Sequence, residues 1–209
     1  DYWADEYKLQ KQLDCLENDQ SISVCYHDFS IIDENNNIIK KEGMDEYWKR
    51  SWSDVELGKG IYVLPNTMAF KSISNFPQDY YEFMMASNGD KFLLSILGLF
   101  GRGEFLTNVK NSNYRIHKNG VWSSKDSNTK KLMNYNTECS LMSFFKRINR
   151  DEAYQYYLNR IKMDLLICLY QDEFTMYRKK ITILWNYRKS FGIINYFNYC
   201  QKLFRSYIK

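Results

Sequence analysis

The sequence predicts an α/β protein: a mixed sheet with flanking helices over residues 1–124, then a helical extension over 125–209. Three observations carry this reading. Short β-branched and aromatic runs alternate with helix-period segments up to about residue 124. Both prolines and every glycine but Gly192 also fall in that part. The charge changes sign along the chain as well. Residues 1–149 hold 18 basic and 20 acidic side chains, a net of −2, whereas residues 150–209 hold 11 and 5, a net of +6.

The elements follow in order. Asp5 is placed to cap a helix running to about Asn18, with Leu9, Leu13 and Leu16 on one face. Ser21 to Ile32 reads as one strand. Asp33-Glu34-Asn35-Asn36-Asn37 is a turn, and Ile38-Ile39-Lys40 is its return strand. Residues 42–60 read as loop or short helix, and Ile61 to Lys71 as extended chain. Phe76 to Ala86 predicts a helix ended by Asn88-Gly89, with Gly89 as a left-handed cap. A second, apolar helix then runs from Lys91 to Phe100. Gly101-Arg102-Gly103 turns the chain, and Glu104 to Val109 and Ser112 to His117 read as strands. Ser, Asn, Lys and Thr cluster at Ser123–Lys131, which marks a boundary. Long helices are expected beyond it.

Composition excludes several classes. Of the 209 residues, 44% are apolar and 26% charged, ordinary values for a folded domain. No run approaches the ~18 apolar residues of a membrane span. The five cysteines, Cys15, Cys25, Cys139, Cys168 and Cys200, form no C-x-x-C pair, so isolated thiols in a reducing compartment are expected. No P-loop and no G-x-S-x-G motif is present. Asp79 with Glu82, and Asp172 with Glu173, lack the partners of a two-carboxylate hydrolase.

An ordered set of segments carries a resemblance. Asp1-Tyr2-Trp3-Ala4-Asp5 leads to Lys8-Leu9-Gln10-Lys11-Gln12, and Val24-Cys25-Tyr26-His27-Asp28 to Ile32-Asp33-Glu34-Asn35. Asn66-Thr67-Met68-Ala69-Phe70-Lys71 and Asn88-Gly89-Asp90 follow. Tyr114-Arg115-Ile116-His117 with Gly120-Val121-Trp122-Ser123 closes the series. In this order they resemble family 2 glycosyltransferases of the GT-A fold, over residues 1–124. The resemblance implies the acceptor-side half of a GT-A domain, with the acidic metal motif and nucleotide-binding half lying upstream of Asp1. The chain would then begin inside a larger gene product.

The resemblance also implies a chemistry: metal-dependent transfer, with inversion, of a sugar from a nucleotide-diphosphate sugar to a surface polysaccharide or lipid-linked glycan. A divalent cation, Mn²⁺ or Mg²⁺, would neutralise the leaving diphosphate. Asp90 would be the base that takes the acceptor's proton, and it is equally a natural helix cap. Asp1 and His117 would lie near the metal, although Asp1 could be frayed and His117 a plain surface histidine. Arg115 would meet a phosphate or form a surface ion pair. Trp3 and Trp122 would stack on sugar rings or plug the core. His27 reads as a strand histidine bonded to a neighbour, with the sugar pocket as its other reading.

The basic, aromatic tail has three readings: a solvated helical cap, a peripheral contact with an anionic membrane surface, and a nucleic-acid groove. No nucleic acid is expected, since the front part is slightly acidic. The resemblance implies a cytoplasmic protein, on the inner face of the cell membrane where the tail touches it. Two rival functions stand beside transfer: a non-catalytic binding or scaffolding fragment, and a membrane- or nucleic-acid-binding module led by the tail.

Overall fold

The structure, a computed structural model, describes residues 1–73, 81–120, 122–171 and 173–188. It is α/β, and it divides into two compact units. The first comprises Asp1–Pro77 and Leu93–Lys125; the second comprises Gln78–Phe92 and Asp126–Lys209.

The first unit carries two small mixed sheets. β1 (Ile22–Tyr26) lies between β4 (Met68–Phe70), antiparallel, and β5 (Arg102–Phe105), parallel. β2 (Phe29–Ile32) lies between β3 (Ile38–Lys40), antiparallel, and β6 (Ser112–Arg115), parallel. Parallel neighbours need long crossovers, and residues between β1 and β5 and between β2 and β6 supply them. Helix α1 (Lys8–Asn18) packs on β1 and β4, and the capped turn α2 (Asp54–Gly58) on β5. Val24, Tyr26, Phe29, Trp52, Leu57 and Leu94 form the centre of the core.

The segment read as one strand is two. The chain leaves the first sheet at His27 and enters the second at Phe29. The cause is Asp28, whose Oδ1 accepts the N–H groups of Phe29 (2.7 Å) and Met44 (2.9 Å). Its Oδ2 lies 3.0 Å from Lys49 Nζ. A buried carboxylate that takes backbone donors bends the chain away from its ladder.

Other expectations are corrected in detail. Asp5 does not cap α1; the N-cap position is Tyr7. The Asp5 carboxylate instead receives Lys11 Nζ (2.8 Å) and the N–H groups of Lys110 (2.9 Å) and Tyr7 (3.0 Å). Those bonds, Lys11 first, hold it well below the usual carboxylate range. Arg102 and Gly103 belong to β5 and not to a turn. The turn is made at Gly101, φ +153°, whose backbone runs so close to the Ser21 carbonyl that a side chain would collide with it.

The second unit is helical: α3 (Tyr81–Met85), the start of α4 (Gly89–Leu97), α5 (Ser127–Arg147), α6 (Asp151–Tyr170) and α7 (Phe174–Asn186). Residues 76–80 of the expected third helix, and the tail beyond residue 188, lie outside the described residues. Gly89 opens α4 and has no positive φ, so it is not the left-handed cap. Asn88 sets the break: its N–H donates to Thr137 Oγ1 (2.9 Å) and its Nδ2 to Asn134 Oδ1 (2.8 Å).

α5 is buried without interruption from Thr137 to Phe145, as befits the central helix of a bundle. Two buried acids on this unit are matched by basic side chains. Glu82 takes a two-pronged bond from Arg147, at 2.9 Å through both Nε and Nη2. Glu138 takes Arg160 (2.7 Å) and Lys91 (2.9 Å). Glu82 is thus engaged by Arg147 in a pair that accounts for its burial. Met163, Ile167 and Tyr170 form an exposed apolar stripe at i, i+4, i+7 on α6, and Phe174 is exposed at the start of α7.

Candidate functional site

The inner face of α1 is the unusual feature of the first unit. The leucine periodicity places Leu9, Leu13 and Leu16 together, but Leu9 and Leu13 are exposed. The buried residues, one turn apart, are Lys8, Gln12 and Leu16. Gln12 fixes this rotation, because its Nε2 donates to the Thr67 carbonyl at 2.9 Å. Lys8 is 2% exposed, and its Nζ lies 4.0 Å from the centre of the Trp3 ring. Burial lowers its pKa.

The N-terminal segment runs against β6. Tyr2 and Asn113 exchange backbone bonds, Tyr2 N–H to Asn113 O at 3.2 Å and Asn113 N–H to Tyr2 O at 2.8 Å. One step further, the Arg115 N–H donates to Asp1 Oδ1 at 2.8 Å. The acidic-aromatic opening and the Tyr-Arg-x-His box, far apart in sequence, are therefore side by side. Trp3 is half exposed beside them.

The Arg115 guanidinium clasps the β2–β3 turn. It donates to the carbonyls of Asp33 (2.9 Å) and Glu34 (3.1 Å) and to Asn36 Oδ1 (2.6 Å). Asn36 adopts φ +69°, a left-handed conformation that asparagine tolerates. This clasp accounts for Arg115 without a phosphate.

His27 sits at the kink between the sheets and is fully buried. Its Nδ1 lies 2.7 Å from the Asp28 carbonyl oxygen, which can only accept, so Nδ1 carries the proton. Its Nε2 faces Ser112 Oγ at 3.5 Å, and that hydroxyl also reaches the Asn66 carbonyl at 3.3 Å. Burial pushes the imidazole down to about 4. The side-chain carbonyls of Gln12 and Asn66 are buried with no hydrogen-bond partner among the described residues.

Asp90 belongs to the second unit, while Asp1, Trp3, Arg115, His117 and Trp122 belong to the first. Asp90 is exposed on the first turn of α4; its Oδ1 accepts the Lys91 N–H at 2.8 Å, and no bond is formed to Oδ2 among the described residues. It is the second residue of the helix and not its cap. His117 is exposed, and its carbonyl accepts Ser123 Oγ (2.7 Å) and the Gly120 N–H (3.1 Å). Trp122 is 39% exposed, so neither it nor Trp3 is a core plug.

Among the described residues, no three His, Cys, Asp or Glu side chains gather as a metal site. Asp1 and His117 offer two side chains where Mg²⁺ takes about six ligands. They do not by themselves fit the expected Mn²⁺ or Mg²⁺. Among the described residues, no helix is long and apolar enough to cross a membrane. Comparison with models of known families, with curated proteins and with solved structures finds no match.

Sequence reasoning singled out the residues at the chain's opening and in the late box, and passed over Lys8, Gln12, Asn66 and Ser112 as chemistry. The signal that could have found two of them is the i, i+4 spacing of Lys8 and Gln12 on a helix whose leucines offer a competing face.

His27 gives the stability a pH dependence of known sign. An unfolded imidazole binds a proton near its ordinary 6.5, and the folded one only near 4. Stability should therefore fall as pH drops through that window, by up to about 3 kcal/mol. Urea titrations across the window measure it, and His27→Gln should remove that part of the slope. An identical slope in the variant would contradict the assignment.

Proposed function

We propose that the chain is the acceptor-side part of a family 2-like GT-A glycosyltransferase. It would act with inversion, moving a sugar from a nucleotide-diphosphate sugar to a surface polysaccharide or lipid-linked glycan. One observation carries most of the support. The Asp1-Tyr2-Trp3 segment pairs with Asn113 and Arg115, so the first and last motifs of the resemblance are neighbours. The α/β class and the parallel pairs β1–β5 and β2–β6 agree with the reading.

The roles are assigned residue by residue. Asp90 is the proposed base: an exposed carboxylate with Oδ2 open to a proton. Trp3 and Trp122 are partly exposed indoles, a residue type that stacks on pyranose rings. His117 is exposed and able to meet a ligand; Arg115 supports the hairpin. In the longest open reading frame that contains this chain, Asp90→Asn should lower sugar transfer at least about 100-fold. Binding of the nucleotide sugar should be retained. Transfer at the normal rate in that variant would remove Asp90 as the base.

A second reading is a peripheral membrane contact, and the exposed stripe of Met163, Ile167, Tyr170 and Phe174 favours it. Arg178 and Lys179 are exposed on the following helix. Flotation with vesicles rich in phosphatidylglycerol should carry the protein upward. Ile167→Asp together with Tyr170→Asp should leave it at the bottom. Equal flotation of both proteins would dismiss this stripe as the contact.

A further inference from the structure

The sequence spacing predicts isolated thiols, but the fold brings Cys15 of α1 and Cys25 of β1 together. α1 packs on β1, and both side chains belong to one apolar cluster with Leu16 and Ile22. Cys25 Sγ lies 3.6 Å from the Gln12 carbonyl oxygen. Gln12 stands at i−3 from Cys15, and a helical side chain folds back over the turn before its own Cα. The Cys25 sulfur therefore sits on the patch of helix that the Cys15 side chain covers, and the two thiols share a hydrogen bond.

The two differ in access. Both are free thiols, and of the four described cysteines Cys15 alone is half-buried, whereas Cys25, Cys139 and Cys168 are buried. A reagent from solvent thus meets Cys15 first, and reaches Cys25 only through it. Burial raises both thiols, Cys25 to about 12. Their shared hydrogen bond separates them, lowering Cys15 and raising Cys25, so Cys15 ionises first. Arg102 also lowers Cys15, against Glu104 and Asp19, and Lys8 lowers Cys25. Neither is the low-pKa thiolate of a fast peroxide sensor. The arrangement of one accessible thiol backed by a buried neighbour suits slow thiol–disulfide exchange.

We propose that Cys15 and Cys25 are a reversible redox pair, with a small-molecule disulfide as oxidant and a covalent tie between α1 and β1 as product. Having lost its proton to solvent, the Cys15 thiolate attacks one sulfur of the small disulfide. That S–S bond breaks, and one small thiolate leaves and is protonated. Cys25 then gives its proton to solvent, and its thiolate attacks the Cys15 sulfur of the mixed disulfide. The second small thiolate leaves and is protonated in turn. Two protein thiols are oxidised, the small disulfide is reduced to two thiols, and no other electron carrier is needed. The tie holds α1 in the rotation that Gln12 sets. It does not depend on the sugar-transfer reading and can stand if Asp90 is not a base.

The test exposes the whole native chain to oxidised glutathione overnight, followed by acid quenching, alkylation and peptide mass spectrometry. The spectrum should contain a peptide pair joined through Cys15 and Cys25, and dithiothreitol should part it. Cys15→Ser should yield no link and leave Cys25 unmodified. Cys25→Ala should hold glutathione on Cys15, the first step without the second. Unfolding temperature gives a second readout, because the tie removes freedom from the unfolded chain. The oxidised native chain should unfold roughly 5 °C higher than the reduced one, and Cys15→Ser in the same buffer should show no rise. Four results would overturn the proposal: both thiols unreacted, glutathione resting on Cys15 of the native chain with Cys25 free, a Cys15–Cys25 link that forms only in urea, or a linked chain that unfolds at a lower temperature.

Discussion

The first unit depends on the Asp28 carboxylate. Buried between two backbone N–H groups and the Lys49 ammonium, it stops β1 at Tyr26 and starts β2 in another sheet. Lys49 is held in turn by Glu42 and Glu46, both at 2.7 Å, so the charge at the kink is matched from several sides. The kink brings His27 inside, beside Ser112 of β6. Removing the carboxylate would leave the buried N–H groups of Phe29 and Met44 without partners and take one of its three carboxylates from Lys49, the kind of change that costs several kcal/mol.

The polar lining beneath α1 is set by the bond from Gln12 to the Thr67 carbonyl. The helix turns Lys8 and Gln12 inward and leaves two leucines in water, against the hydrophobic pattern. Natural folds that break a local rule in this way tend to do so at sites that serve a purpose. Here the broken rule, the orphan carbonyls of Gln12 and Asn66, and the neutral His27 fall in one neighbourhood. The second unit has the opposite character: its buried acids Glu82 and Glu138 are each matched by arginine, and its aromatic rings pack on one another, Phe145 stacked on Tyr157. Burial there reads as structure, not as a site.

Much of the element order was legible from sequence, because it rests on local signals. The α1 span, the β2–β3 hairpin with its Asn-rich turn, and the long helices after residue 126 all follow from periodicity and turn chemistry. What escaped rests on distant partners. The break at Asp28 needs Met44 and Lys49; the rotation of α1 needs Thr67; the role of Arg115 needs the carbonyls of Asp33 and Glu34. None of these pairings leaves a trace in local sequence. Gly89 shows the same limit: a glycine after a helix signals a cap, but Asn88 bound to α5 sets the break instead. At the candidate site the sequence supplied the motifs, and the fold supplied their adjacency.

The kink at Asp28 encloses His27 as a buried, neutral imidazole. Nitrogen-15 NMR of the His27 ring in the native chain tests this directly. The ring should be neutral, with its proton on Nδ1, from about pH 8 down to about pH 5. A ring that takes up a second proton within that range would contradict it.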